Sequence, residues 1–175
     1  MRVISGKLGR REFLSPASKL THPMSEKMRA AIFSALGDIT GLSVLDVYSG
    51  SGSLAIEAVS RGAGAVTAVE SDVKAVQVIR ENVRRLEIED NLKVIQSKVG
   101  SWNTTNRDKF DVILADPPYH GAALSELNDA ASRVVPGGLL VLSWPGKEKL
   151  PVIASLTLIS ERHYGDASLG YYRAG

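Results

Sequence analysis

Asp116-Pro117-Pro118-Tyr119 is the segment whose residue types most directly imply chemistry. Two successive prolines stiffen the backbone and remove two N–H donors. The segment therefore presents a carboxylate and bare carbonyls, a surface rich in acceptors. Such a surface suits the exocyclic amine of a nucleobase: its N–H groups need partners while the nitrogen lone pair is turned toward a methyl donor. In-line attack by that amine needs no covalent intermediate and no prior deprotonation, so the protein mainly positions reactants and accepts hydrogen bonds as charge develops. The Asp116 side chain and the Pro117 carbonyl are the candidate acceptors, and Tyr119 offers a flat face for stacking a base.

A second group lies upstream. Val44-Leu45-Asp46-Val47-Tyr48-Ser49-Gly50-Ser51-Gly52 runs from an apolar segment into a glycine turn, and the next apolar segment ends in Glu70-Ser71. Gly50 and Gly52 let backbone approach a ligand and adopt positive φ. A carboxylate at Glu70 is placed to accept from both hydroxyls of a ribose. Gly50-x-Gly52-x-x-Ala55 also fits a dinucleotide fingerprint, which taken alone is a weak signal and leaves a nicotinamide cofactor open. Asp46, an acid inside an apolar segment, needs a reason to be there.

These residues need a scaffold, and the pattern supplies one. Apolar segments Ser43–Val47, Ala65–Val69, Leu92–Ile95, Phe110–Ala115 and Leu139–Trp144 read as strands. Helical spacing appears over Leu54–Arg61 and after Asp72, where Val73, Val76, Ile79, Val83 and Leu86 recur every three or four residues. A helix is expected over 122–135, ended by Pro136-Gly137-Gly138. Two further strands, about 154–164 and 168–172, would form a hairpin around Gly165-Asp166, so the last strand should run antiparallel. Strands alternating with amphipathic helices predict a doubly wound α/β domain with a mostly parallel sheet.

Ahead of that domain, Arg2–Ser5 and Arg11–Leu14 are expected to pair as a small hairpin. A helix capped by Ser25 carries Met28, Ile32, Phe33 and Leu36 and stops at Gly37. The chain thus divides into an N-terminal extension, 1–37, and a catalytic domain, 38–175. The extension is basic: residues 1–36 hold seven Lys/Arg against two acids, although the whole chain carries only +2. Local excess points to a polyanionic partner, with Arg2, Lys7, Arg10, Arg11 and Arg29 as candidate RNA contacts.

Composition excludes other classes. With no cysteine, disulfides, thiolate nucleophiles and Cys-based zinc sites are ruled out. His22, His120 and His163 show no metal spacing, so no metal is expected. Neither a signal peptide nor a membrane-length apolar run is present, which predicts a cytoplasmic protein. Trp102 and Trp144 read as packing residues and Tyr171-Tyr172-Arg173 as ordinary strand pairing. Ser51 has no histidine nearby in sequence.

The motifs together resemble the class I S-adenosylmethionine-dependent methyltransferases that carry a [D/N/S]-P-P-[Y/F/W] motif. The stretches Arg2–Arg11 and Thr21–Phe33, Ser60-Arg61-Gly62-Ala63, and Tyr164-Gly165-Asp166 narrow this to a resemblance to the bacterial 16S ribosomal RNA guanine-N2 methyltransferase family. The resemblance implies a seven-stranded, Rossmann-like sheet with a reversed last strand. It implies transfer of methyl from S-adenosylmethionine to the N2 amine of one guanine of 16S RNA, within a small-subunit particle; a monomer is the default expectation. Asp46, Tyr48, Gly50, Gly52, Glu70, Ser71 and Asp116 would bind cofactor, Asp46 near its methionine part, while Asp116, Pro117 and Tyr119 hold the base.

The chain departs from that family twice. Thr21-His22-Pro23-Met24 stands where relatives commonly have Thr-Arg-Pro-Thr. Lys98 stands where many have Asp or Asn to meet the adenine amine, a bond that lysine cannot accept; Ser97 or the backbone at Val99 would substitute. An adenine-N6 or cytosine-N4 methyltransferase is the alternative within the same chemistry. A nicotinamide-dependent oxidoreductase and a non-catalytic RNA-binding module are more distant ones.

Overall fold

The computed structural model describes residues 1–16, 24–118 and 124–175. The chain runs α1 (Glu26–Leu36), β1 (Ser43–Val47), α2 (Ser53–Ser60), β2 (Ala65–Glu70), α3 (Val73–Leu86), β3 (Leu92–Gln96), α4 (Val99–Thr105), β4 (Phe110–Ala115), α5 (Leu124–Ala131), β5 (Val134–Pro145), β6 (Leu156–Tyr164) and β7 (Ala167–Ala174). The strands form one seven-stranded sheet in the order β3-β2-β1-β4-β5-β7-β6. β1 to β5 are parallel, and β7 runs antiparallel to both β5 and β6. This is the doubly wound, mostly parallel α/β fold expected from the sequence. The order reverses between β1 and β4, which is where such sheets bind ligands.

Side-chain alternation sorts the core onto two faces. Val44, Val66, Ala68, Val112, Leu114 and Val141 pack under α1, α2 and α3. Leu45, Val47, Val69, Ile113, Ala115, Leu140 and Leu142 pack under α4 and α5. Asp46, Asp116 and Ser143 continue the first set by parity. β1 and β4 are in register at Asp46 and Leu114, and β4 and β5 at Ala115 and Leu142. Asp116, just past the end of β4, therefore comes next in register to Ser143 of β5.

Local signals explain most boundaries. Ser25 caps α1 by accepting from the Met28 N–H, and Asp72 caps α3 by accepting from Ala75, each worth about 1 kcal/mol. In α3 the residues Val76, Ile79, Val83 and Leu86 are buried as their spacing requires, whereas Val73, in the first turn, is half exposed. Tyr172 is buried with its hydroxyl donating to the Pro151 carbonyl, and Trp102 packs 6.2 Å from Phe110, so both are packing residues. Tyr164 and Ala167 pair across the turn at Gly165-Asp166, which closes the expected hairpin.

Three expectations change. The helix expected over 122–135 is described as Leu124–Ala131, and Val134 and Val135 belong to β5. β5 thus contains Pro136-Gly137-Gly138 rather than starting after it. Between the pairs Phe110–Val134 and Val112–Leu139 the register jumps, and the proline sits in that bulge, where no ladder N–H is needed. Secondly, α4 has no sequence signature, because Gly100, Ser101, Asn103 and Thr104 are poor helix formers. It forms because Val99 and Trp102 are buried against the α4–α5 layer. Thirdly, the N-terminal hairpin holds one antiparallel bridge, Arg2 to Glu12, instead of two strands. Its Val3, Leu8 and Phe13 join the same core cluster as Ile56 and Val59 of α2.

Candidate active site

The carboxyl edge of the sheet gathers the residues singled out from sequence. In the turn after β1, Tyr48, Gly50 and Gly52 all have positive φ, at 59°, 54° and 74°. Gly52 begins α2, and a Cβ there would lie 3.0 Å from Ile79, so its absence lets α3 close on the turn. Gly50 faces open space apart from the Tyr48 carbonyl at 3.9 Å. What it requires of glycine is the backbone angle, which turns its N–H toward Glu70.

Glu70 is held from three sides. Oε2 accepts the Gly50 N–H at 2.7 Å, and Oε1 accepts those of Ser71 at 2.7 Å and Asp72 at 2.8 Å. A carboxylate has about four acceptor positions, so capacity remains for a ribose hydroxyl. The Ser71 side chain is exposed and its Oγ lies 3.4 Å from Glu70. The Ser97 N–H donates to the Glu70 carbonyl, and its hydroxyl to the Lys98 carbonyl. The Val99 side chain is buried in the core. Lys98 begins α4 without capping it.

Asp46 is 1% exposed. Its Oδ2 accepts from Ser49 Oγ at 2.6 Å and from the Ala55 N–H at 3.2 Å, while Oδ1 is buried with no partner among the described residues. Burial pushes its pKa up to about 7; the bonds from Ser49 and Ala55 pull it down, and the charges of Asp116 and Glu70 add to the rise. Burial likewise raises the Asp116 pKa, opposed by the Ser143 hydroxyl. Pro117 is buried and Pro118 exposed. Tyr119, His120 and His22 lie outside the described residues.

Tyr48 breaks the alternation. By parity it would share the face of Asp46, but its left-handed backbone swings the ring to the α4–α5 side. There its hydroxyl donates to Glu126 Oε2 at 3.0 Å, and burial followed by that bond raises the phenol pKa. The glycine turn is thereby tied to the helix that follows the Asp116 segment.

The basic extension departs from expectation. Arg29 is fully buried, its guanidinium 3.8 Å from Glu57 and 2.7 Å from the Arg2 carbonyl. It cannot meet RNA, and this corrects its assignment as an RNA contact. Helical spacing places it on the buried face with Ile32 and Phe33, and Glu57 supplies the countercharge. Glu57 also accepts the Ile4 and Ser5 N–H groups and the Arg61 guanidinium. Arg2 pairs with Glu26 at the surface, and Arg11 donates to the Arg85 and Leu86 carbonyls at the end of α3. Lys7 and Arg10 are exposed. The Lys7 N–H bonds the Ser60 carbonyl, next to the Gly62–Gly41 contact that precedes β1. That corner is the amino edge of the sheet, opposite Asp116.

Among the described residues no group of His, Asp or Glu could hold a metal, and no helix is long and apolar enough to cross a membrane. Sequence reasoning missed Ser143, Glu126 and Glu57. A lone hydroxyl in the apolar run Leu139–Trp144 was a usable signal for Ser143; Glu126 and Glu57 carried none.

The family model described as Conserved hypothetical protein 95 matches residues 1–173. A Bacillus subtilis (strain 168) protein, named provisionally as the rRNA methyltransferase YlbH, is 30% identical over 99% of this chain and 98% of its own. Ribosomal RNA small subunit methyltransferase D of Escherichia coli (strain K12) is 29% identical, over 72% of this chain; the match spans 64% of that protein. Among solved structures, an Escherichia coli protein described provisionally as methyltransferase yhhF superposes with a TM-score of 0.90 at 24% identity, covering 99% of this chain and 97% of that one. That likeness bears on the fold.

Proposed function

The chain belongs to the family described as Conserved hypothetical protein 95, and from that premise we propose that it is an S-adenosylmethionine-dependent methyltransferase acting on the N2 amine of a guanine in 16S ribosomal RNA. The names of its relatives support an rRNA substrate. The observation that carries the reading is the convergence of Asp46, Glu70 and Asp116 on one edge of the sheet at the strand-order reversal. Residues 38–175 form the catalytic unit of a monomer, and 1–37 the RNA-facing extension. The acceptor is a small-subunit particle.

The residues present fit the cofactor. The unpartnered Asp46 Oδ1 is a buried acceptor in search of a donor, which suits the methionine part of S-adenosylmethionine. Glu70, already oriented by three amides, is set to take the ribose hydroxyls. Gly50, Gly52, Tyr48 and Ser71 shape that end of the site, and the Ser97 and Val99 backbone borders the adenine. When bound, the cofactor supplies an electrophilic sulfonium methyl.

The chain's own part is to hold the amine. The Asp116 carboxylate and the Pro117 carbonyl accept its N–H bonds, which aims the lone pair and disperses positive charge as it develops. Tyr119 stacks on the base. The amine's proton leaves after transfer, so no strong general base is required.

The decisive experiment is transfer of labelled methyl to small-subunit particles lacking the modification, with free 16S RNA and DNA in parallel, followed by nucleoside analysis. N2-methylguanosine from the particle is the expected product. Label in adenine or cytosine would keep the chemistry and refute the guanine assignment. Cofactor binding with no label in any acceptor would refute the substrate assignment.

A further inference from the structure

We propose that Ser143 is a positioning residue for Asp116, its hydroxyl donating to the carboxylate and holding it ionised and aimed at the substrate amine. The proposal rests on the reading of Asp116 as an amine acceptor and adds a group that the motif itself does not contain.

Two observations carry it. The first is register. β4 and β5 pair at Ala115 and Leu142, so Asp116, the residue that follows β4, comes next in register to Ser143 of β5. The second is an orphan. Ser143 is 1% exposed, and its Oγ has no hydrogen-bond partner among the described residues. A buried hydroxyl left unpaired costs stability, and the apolar run Leu139–Trp144 offers no reason to keep one. Alanine would fill the position without that cost. Ser143 is nevertheless the side chain that opposes the effect of burial on the Asp116 carboxyl. The proposed bond forms when substrate docks against Asp116.

The surroundings make the contact consequential. Asp46 approaches from β1 with Glu70 beyond it on β2, and the charges of Asp116 and Glu70 both raise Asp46. Tyr48, beside Asp116 in register, donates to Glu126 of α5 and not to Asp116. Among the described residues Ser143 is thus the one side chain set against protonation of Asp116. A protonated Asp116 would lose part of its capacity to accept from an amine.

The test uses the full chain with ¹³C-labelled aspartate carboxyls and no cofactor, titrated by NMR; loss of one resonance in Asp116→Asn assigns it. In Ser143→Ala the Asp116 midpoint should move to higher pH, and Ser143→Thr should restore it. An unchanged midpoint in a folded Ser143→Ala protein, with a melting temperature near that of the parent, would overturn the proposal. Methyl transfer by Ser143→Ala at pH 7 should fall about tenfold and recover as pH rises, with S-adenosylhomocysteine affinity unchanged. A shifted midpoint with undiminished transfer would support the contact but overturn the reading of Asp116 as amine acceptor, so the two failures are distinguishable.

Discussion

The Gly50 N–H donates to Glu70 Oε2 at 2.7 Å, joining the turn after β1 to the acid that ends β2. One carboxylate therefore both orders the glycine turn and faces the ribose. Replacing it with alanine should weaken S-adenosylhomocysteine binding about ten- to a hundredfold, equivalent to removing one or two bonds to a charged group. Glu70→Gln should weaken it nearly as much, because its amide N–H₂ would oppose one of the three backbone donors. Calorimetric titration checks this; unchanged affinity in both variants would remove the ribose assignment.

Asp46 makes stability depend on pH. Its folded pKa is raised to about 7, against about 3.9 in an unfolded chain. Between those values the folded state holds a proton that the unfolded state has released. The group's contribution is therefore fully favourable below about pH 4 and is lost as pH rises through 7. Asp46→Asn cannot ionise and keeps an acceptor for Ser49 and Ala55. It should be more stable than the parent at pH 8 by on the order of a few kcal/mol, with the gain shrinking toward pH 4, while binding cofactor more weakly. Thermal melts across that range test it; a pH-independent difference would contradict the raised pKa.

Glu57 should matter to folding rather than to RNA. Glu57→Ala strands the buried Arg29 and frees the Ile4 and Ser5 N–H groups. The cost should be about 3–5 kcal/mol, read as a lower urea midpoint. Arg29→Met, where it folds, should leave the salt dependence of RNA binding unaltered. A reduced slope would mean that Arg29 reaches phosphate after all.

Lys7 and Arg10 are the cleaner probes of the basic extension, because Arg11 is occupied by carbonyls of α3. Arg10 sits at φ 71°, so asparagine suits its backbone. Lys7→Gln with Arg10→Asn should flatten the plot of log affinity against log salt by about 0.7–0.9 for each phosphate that is no longer neutralised. An unchanged slope would exclude this corner from the RNA interface. Since the corner lies at the amino edge of the sheet, any phosphate it meets is remote from the target base.

Local chemistry determined much of this protein through its sequence. Strands β1 and β4 were legible to the residue because a buried parallel strand is nearly continuously apolar. Asp72, Ser25 and Gly37 marked helix ends because caps are satisfied by near neighbours. Asp46, Glu70 and Asp116 stood out because acids at the ends of apolar runs are costly without a purpose. Tertiary structure alone decided the rest. Arg29 looked like part of a basic arm until Glu57, far along the chain, proved to be its partner. Ser143 met Asp116 only through the pairing of β5 on β4, and Tyr48 met Glu126 only because a left-handed residue reversed its face. α4 formed against propensity because Val99 and Trp102 had a core to enter. Contacts between residues remote in sequence are set by register and packing, which no local pattern encodes.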